Sequence, residues 1–360
     1  MKKPLILAAL ASYVFMPSSI LASSTTVSSC NTDPYTDLCF WIISDQADNN
    51  PPNTATRETF TKLLGINDNT TVVGYYGSGT LPGHPSKGIS FTVHSGLPAT
   101  ITFIPENFPG SNQTQVYGIN NLSNPTTVGF WVNSAGTDSG FADVNGTFTS
   151  VVDPLTNGTV NQLRGVNNSN IAAGFYTDAA GNHHAYLYNL ATSTFTPLNL
   201  PAGFHAVSVT ATDINNSGEI SGYYTDTSGK TYGFLDIGGI FSSINDPFGN
   251  GTDTMFLGLN NLGQVVGSYV GPDGRTYGLL FAPATSPSTA QYWATIGGSG
   301  TTMNGINDQG QVVGFFSRGS DYAVGILAMP EPSSLAFIGL AALAAPFVHR
   351  RKERCAGPTN

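Results

Sequence analysis

The sequence predicts an all-β fold, and three observations carry that prediction. Only 10% of the 360 residues are charged, while Gly alone supplies 42 and Asn, Thr and Ser abound. That mixture favours turn-rich strands over amphipathic helices. Second, one short pattern returns six times: Gly65-Ile66-Asn67-Asp68, Gly118-Ile119-Asn120-Asn121, Gly165-Val166-Asn167-Asn168, Asp213-Ile214-Asn215-Asn216, Gly258-Leu259-Asn260-Asn261 and Gly305-Ile306-Asn307-Asp308. The copies start 53, 47, 48, 45 and 47 residues apart, a period that builds stacked or radially arranged units. Third, short apolar runs alternate with Gly- and Asn-bearing turns throughout, with no helical period in the body.

Each unit reads as four strands. The first ends in the Gly-Ile-Asn element, and an Asn-Asn or Asn-Asp turn, often closed by Gly218, Gly263 or Gly310, sends the chain back. Asn and Gly tolerate the positive φ of tight hairpins. The second strand follows, as in Val72-Val73-Gly74-Tyr75-Tyr76 or Ile220-Ser221-Gly222-Tyr223-Tyr224. Its Gly recurs in every unit (Gly74, Gly129, Gly174, Gly222, Gly267, Gly314), with an aromatic two residues on. A Gly weakens a strand, so six repetitions predict something passing close to that backbone. After a second turn comes a third strand such as Thr231-Tyr232-Gly233-Phe234-Leu235, and a fourth such as Ile240-Phe241-Ser242-Ser243-Ile244.

Three tight turns and one longer connection per unit are the pattern of a β-propeller blade, so six units predict a six-bladed β-propeller of about 47-residue repeats. The sixth unit lacks a fourth strand, whereas Cys39-Phe40-Trp41-Ile42-Ile43-Ser44 precedes the first unit without a partner. We expect that segment to close the ring as the outer strand of the last blade, removing exposed edges. An open β-solenoid is the alternative.

Both ends read as addresses. Met1-Lys2-Lys3, an apolar stretch over 5–15 and Ile20-Leu21-Ala22 before Ser23 form a signal peptide over 1–22; an N-terminal anchor is the blander reading. At the other end, Pro330-Glu331-Pro332 precedes an apolar run over 335–348 and a basic stop containing Arg350, Arg351, Lys352 and Arg354. Fourteen apolar residues are fewer than the roughly twenty of a relaxed membrane-spanning helix, but snorkelling flanks and local thinning close the gap. The basic cluster would stay cytoplasmic. The expected organisation is therefore signal peptide 1–22, N-terminal loop 23–37, propeller 38–328, membrane sorting tail with its helix 329–354, and an extension 355–360.

This tail resembles the PEP-CTERM sorting domain of exported proteins in Gram-negative bacteria, many of which make exopolysaccharide. The resemblance covers about 329–354, and the 355–360 extension departs from it. It implies Sec export, transient inner-membrane anchoring, and recognition of Pro330-Glu331-Pro332 by an exosortase-type membrane protease that releases or re-attaches the body at the cell surface. An ordinary anchor without processing is the alternative. The repeats resemble HAF-type extracellular repeats, named for a His-Ala-Phe third strand: His184-Ala185-Tyr186 comes close, while Tyr232-Gly233-Phe234, Tyr277-Gly278-Leu279 and Ser139-Gly140-Phe141 keep the small-then-apolar half. That likeness implies a secreted propeller-like domain and no particular activity.

Charge narrows the function. Without its two signals the body keeps 7 basic and 20 acidic residues, a net of −13, which repels nucleic acid and anionic membranes. Cys30 and Cys39 are the cysteines left after processing and form a disulfide in an oxidising compartment, two free thiols being the alternative. No Gly-x-Ser-x-Gly elbow, phosphate loop or zinc helix motif occurs, so neither a catalytic residue nor a cofactor is assigned. Asp213-Ile214-Asn215-Asn216-Ser217-Gly218 imitates a calcium loop, but Tyr224 stands where a bidentate Glu is needed, and a hairpin is expected. His183 and His184 are neighbours on a strand and face opposite ways, so they do not chelate one metal; His183 is expected to face solvent.

If one face binds, it is the one where second turns and fourth-to-first connections emerge together. Asp178, Asn182, Asp226, Lys230, Asp273, Arg275 and Arg318 are placed there. The acids among them recur at one turn position, which turn chemistry alone also explains. The expected function is a non-enzymatic exported protein that binds or organises exopolysaccharide. The rivals are a secreted hydrolase or lyase with a loop-built site and a purely structural surface protein.

Overall fold

The computed structural model describes residues 38–43, 60–77, 85–93, 101, 103–152, 160–245, 252–282, 292–317 and 323–330. The signal peptide, Cys30, Arg318, Glu331, Pro332, the 335–348 run and the basic stop lie outside them. Among the described residues no helix is long and apolar enough to cross a membrane, and the helical content is one 3-10 turn, Ala202–Phe204.

All else regular is β. In chain order the strands are β1 Leu38–Ile43, then β2 Phe60–Ile66, β3 Thr71–Gly77, β4 Lys87–Thr92 and β5 Ile104–Pro105. The second repeat supplies β6 Gln113–Ile119, β7 Thr126–Val132, β8 Asp138–Val144 and β9 Thr147–Val151. The third gives β10 Asn161–Val166, β11 Ile171–Thr177, β12 His183–Asn189 and β13 Thr194–Pro197, and the fourth β14 Ala206–Ile214, β15 Ile220–Asp226, β16 Thr231–Ile237 and β17 Ile240–Ile244. The fifth has β18 Thr252–Leu259, β19 Val265–Val270, β20 Thr276–Ala282 and β21 Tyr292–Ser299; the last has β22 Thr301–Ile306, β23 Val312–Ser317 and β24 Ala323–Pro330.

The arrangement is propeller-like, but separate four-stranded blades number four, not six. The strands of the first and last repeats form one eight-stranded sheet, because a parallel bridge between Phe60 and Ala323 ties β2 to β24. β1 pairs antiparallel with β24, Trp41 opposite Leu327 and Leu38 opposite Pro330. β24 therefore runs past 328, the expected end of the propeller, and buried Pro330 belongs to the sheet.

Two rings of hydrogen bonds join the repeats. The Asn67 amide donates to the Asn120 carbonyl, Asn120 to Asn167, Asn167 to Asn215, Asn215 to Asn260, Asn260 to Asn307, and Asn307 back to Asn67, at 3.0–3.2 Å. Meanwhile each of these side-chain oxygens accepts backbone N–H groups of its own hairpin, such as Thr71 N and Ile171 N. An amide is the short side chain that donates and accepts at once, so Asn fits here and Asp does not. The following residue makes the second ring: Asp68 N donates to Asn121 Oδ1, and so on through Asn168, Asn216, Asn261 and Asp308, whose N–H returns to Asp68.

Glycines permit this closeness. Each first strand bulges just before the Asn element, for example between Leu63 and Gly65. A Cβ on Gly118 would lie 2.7 Å from the Arg164 carbonyl oxygen and 2.8 Å from Gly165 Cα, so neighbouring inner strands touch backbone to backbone. The second-strand glycines answer to the bulge as well: a Cβ on Gly267 would sit 1.9 Å from the Met255 oxygen. That carbonyl is the close backbone the repeated Gly predicts. Between sheets the core is apolar, with Leu63, Phe141, Leu163, Phe234, Phe256 and Leu279 fully buried.

Candidate functional site

The inner strands converge on the Asn rings, and the second turns lie at the opposite end. There the third and fourth sheets enclose a cavity of about 310 Å³, within the range of small-molecule sites. Its wall comes from Tyr176, His183, His184 and Tyr186, with Phe195 behind. Its other side is the connection through Leu198, Pro201 and His205 into β14. That connection is pinned: Leu198 N donates to the Ala185 carbonyl, and the His205 carbonyl accepts Thr227 N–H from the next second turn. His205 itself takes φ 50° at the end of the 3-10 turn.

His183 and His184 face opposite ways as expected, but the expected assignment is reversed. His183 turns inward, stacked on Phe175 at 4.1 Å with Nδ1 2.8 Å from the Thr210 hydroxyl. Burial, then the Arg164 charge and then His184, hold His183 below the ordinary imidazole range, so it is neutral at pH 7. His184 is the exposed one. It stacks on Tyr176 at 5.0 Å and its Nε2 lies 2.9 Å from Asp178 Oδ2. That contact, with backbone N–H donors from Asn182 and Ala180, holds the Asp178 carboxyl well below the carboxylate range.

The other predicted face residues are less concentrated. Asp226 accepts from Ser228 and Lys230 N–H, and Asp273 accepts from Arg275 N–H and the Tyr277 hydroxyl. These carboxylates cap their own turns, and burial together with Asp273 pushes Tyr277 up to about 12. Aromatic pairs equivalent to Tyr176–His184 recur as Tyr224–Tyr232 and Tyr269–Tyr277. Tyr224, Tyr269 and Tyr277 are buried, whereas the third sheet's pair borders the cavity. Of the predicted residues, Asp178 reaches a lining residue through His184, and Asn182 hydrogen-bonds to Asp178, while Lys230 lies over Tyr232 and Arg275 is 3.9 Å from Asp273.

A second cavity runs along the axis and takes lining residues from all six repeats. At about 80 Å³ it holds a few waters, not a sugar ring. Three charged residues in or beside it break the repeat pattern, and sequence reasoning singled out Asp213 alone, as part of the calcium-like stretch. Asp213 replaces the repeated Gly; its two oxygens accept Ile214 N–H and Leu259 N–H, each at 2.9 Å. Burial pushes its carboxyl up to about 7 against those two bonds. This is the Asp of the calcium-like stretch, which is a hairpin closed by Asn215 N to the Glu219 carbonyl. Arg164 lines the same cavity one residue before Gly165. Lys62 is not among the lining residues; its ammonium stands 6.0 Å from the Tyr75 ring, whose phenol feels the Arg164 charge. Aligning the six repeats and marking the positions that break the pattern would have found all three. Among the described residues no group of three or more His, Cys, Asp or Glu is placed to hold a metal ion.

No family model and no curated protein matches the chain. Solved structures do. Trypanosoma rangeli sialidase aligns with a TM-score of 0.50 and 8% identity over 89% of this chain and 60% of the sialidase. The SapL1 lectin in complex with alpha methyl fucoside gives 0.44 and 10% over 73% and 90%, and a PL25 ulvan lyase gives 0.40 and 9% over 88% and 98%. The chain thus spans less than two thirds of the sialidase it matches. At such identity the sialidase likeness establishes a shared propeller-like fold and nothing finer.

Proposed function

We propose that this is an exported, non-enzymatic repeat protein of the cell surface or extracellular matrix whose propeller binds or organises exopolysaccharide. The observation that carries the reading is the cavity between the third and fourth sheets. It is concave and aromatic, with His184, Asn199 and His205 as polar groups in its lining, as small-ligand sites are built. The sialidase that shares the fold is by its name a carbohydrate protein, which accords with it. The two Asn rings support counting the eight-stranded sheet as two blades, and hence six blades in a closed ring. Under the same proposal the tail is processed at Pro330-Glu331-Pro332 after transient inner-membrane anchoring. Fractionation of cells carrying Glu331→Ala should then leave the protein in the membrane, and unchanged release sinks that part.

Retention on immobilised exopolysaccharide tests the binding. Tyr176→Ala and His184→Ala should each weaken it about tenfold, near 1.4 kcal/mol; no retention of the wild type, or wild-type retention of both variants, refutes the assignment. One observation favours a rival. His184 and Asp178 form a base-and-orienter pair at a cavity, which suits a polysaccharide lyase. The cavity lining holds no carboxylate, Ser, Cys or Lys, so binding is the preferred reading. Growth of unsaturated-uronate absorbance in a mixture with acidic polysaccharide, lost in His184→Ala, would establish the rival.

A further inference from the structure

Two cations, Arg164 in the channel lining and Lys62 beyond it, stand toward the second-turn end of the axial channel. Lys62 and Arg164 are two of the body's seven basic residues, and neither makes an ion pair among the described residues, where the pairs are His184–Asp178 and Arg275–Asp273. Arg164 packs against the Tyr117 ring at 3.9 Å and the Phe175 ring at 5.3 Å. One of its N–H groups reaches Gln162 Oε1 at 2.6 Å, and its buried Nε has no acceptor. Lys62 stands over Phe315 at 4.6 Å and within 6.0 Å of Tyr75.

Ring faces offset part of the cost of burying a cation; Asp138 feels the Arg164 charge but forms no ion pair with it. The two nearby carboxylates are occupied: Asp138 accepts from Gln162 at 2.8 Å, and Asp213 from two backbone N–H groups. Arg164, Tyr117 and Asn304 line the channel's cavity together, and the buried Asn304 Oδ1 lacks a donor. The channel therefore presents a guanidinium with spare donors, an ammonium and an unsatisfied acceptor within one ring of inner strands. A planar carboxylate matches the first two, and a hydroxyl beside it matches the third.

We propose that this end of the channel binds the carboxylate of a hydroxy-acid unit, of the uronate kind, with Arg164 and Lys62 as anion ligands and Asn304 as hydroxyl acceptor. At about 80 Å³ the cavity takes the carboxylate and the hydroxyl beside it but not a whole sugar ring. The proposal does not rest on the saccharide assignment of the inter-sheet cavity, and its variants are different residues.

Calorimetric titration of the full chain with D-glucuronate, with D-glucose and acetate as comparisons, tests it. Saturable glucuronate binding should weaken at least tenfold in Arg164→Gln and in Lys62→Gln and fall as salt is raised. Lys87→Gln, which removes an exposed cation that lines neither cavity, should leave it unchanged. Thermal unfolding without ligand checks each variant; if Arg164→Gln does not fold, Arg164→Lys, which keeps charge but loses the fork, takes its place. Absent glucuronate binding, equal binding of glucose, or wild-type affinity in the Lys62 and Arg164 variants would overturn the site. Acetate binding as tightly as glucuronate would overturn the hydroxy-acid assignment.

Discussion

Asp213 offers a measurable test of the ring's energetics. In five repeats this position is Gly; in the fourth it is a carboxylate whose proton affinity burial raises to about 7 from an ordinary 3.8. The folded state then binds a proton more tightly than the unfolded state. Between about pH 4 and pH 7 it holds more protons, so stability falls as pH rises through that window. The cost is absent below the unfolded value and complete above the folded one. A shift of this size corresponds to about 4 kcal/mol at about 1.36 kcal/mol per unit. Asp213 lines a cavity and is partly exposed, so water solvates some of the charge and about 4 kcal/mol is a ceiling. Asp213→Asn keeps the shape without a charge, but its NH₂ group must face Ile214 N–H or Leu259 N–H. Losing that acceptor costs about 1–3 kcal/mol at every pH. Urea unfolding at about pH 4.5 and about pH 8 should therefore show the wild type losing about 2–4 kcal/mol more than Asp213→Asn across the interval. Glu106, Asp138, Asp143 and Asp236 are also raised by burial, but they are common to both proteins and cancel in the difference. Identical pH dependence in the two proteins would refute the reasoning.

Other consequences are simpler. Asn167→Ala removes a donor to the Asn215 carbonyl and the acceptor for Ser169 and Ile171 N–H; it should cost about 2–4 kcal/mol in urea unfolding, against about 1 for Asn168→Ala, which removes the single part-buried acceptor of Asn121 N–H. Gly118→Ala puts a Cβ into the Arg164 carbonyl and should cost more than about 2 kcal/mol, whereas Gly181→Ala meets open space and loses about 1 through its φ of +88°. Equal losses would contradict the backbone-contact account. Deleting residues 38–43 uncovers the β24 edge and removes fully buried Ile43; light scattering should then show association, and a monodisperse product would mean that β1 does not protect that edge.

The repeat architecture was legible because its signals are local. Asn turns, Gly-bearing second strands and the Asn element each occur in one stretch of chain. β21 and the two-residue β5 were not assigned, since neither stands out in sequence as β17 does. That Asn67, rather than Asp or Ser, recurs through Asn307 is visible in the sequence. Its reason is not, because each amide reaches a carbonyl 45–53 residues away, or 240 residues away at the closure. Alternation placed His183 and His184 on opposite faces, but only the packing of Phe175 and Thr210 decides which one is inside. Lys62 and Arg164 escaped for the opposite reason: attention to what repeats hides what does not.

That contrast orders the whole molecule along its axis. At the ring end every repeat does the same thing with Asn and Gly, and a change there disturbs a bond shared with the next repeat. Moving toward the second turns, the lining becomes Leu64, Tyr117, Arg164, Thr212, Leu257 and Asn304, six residues with little in common. Closure does not demand that diversity, since the six Asn links close the ring whatever stands there. Nor does the core require it, since Arg164 Nε and Asn304 Oδ1 are left without partners, an arrangement a purely structural layer would replace with apolar side chains at no loss. The symmetric layers therefore build the ring, and the layers that break symmetry, together with the cavity beside His184, are where a ligand must be sought.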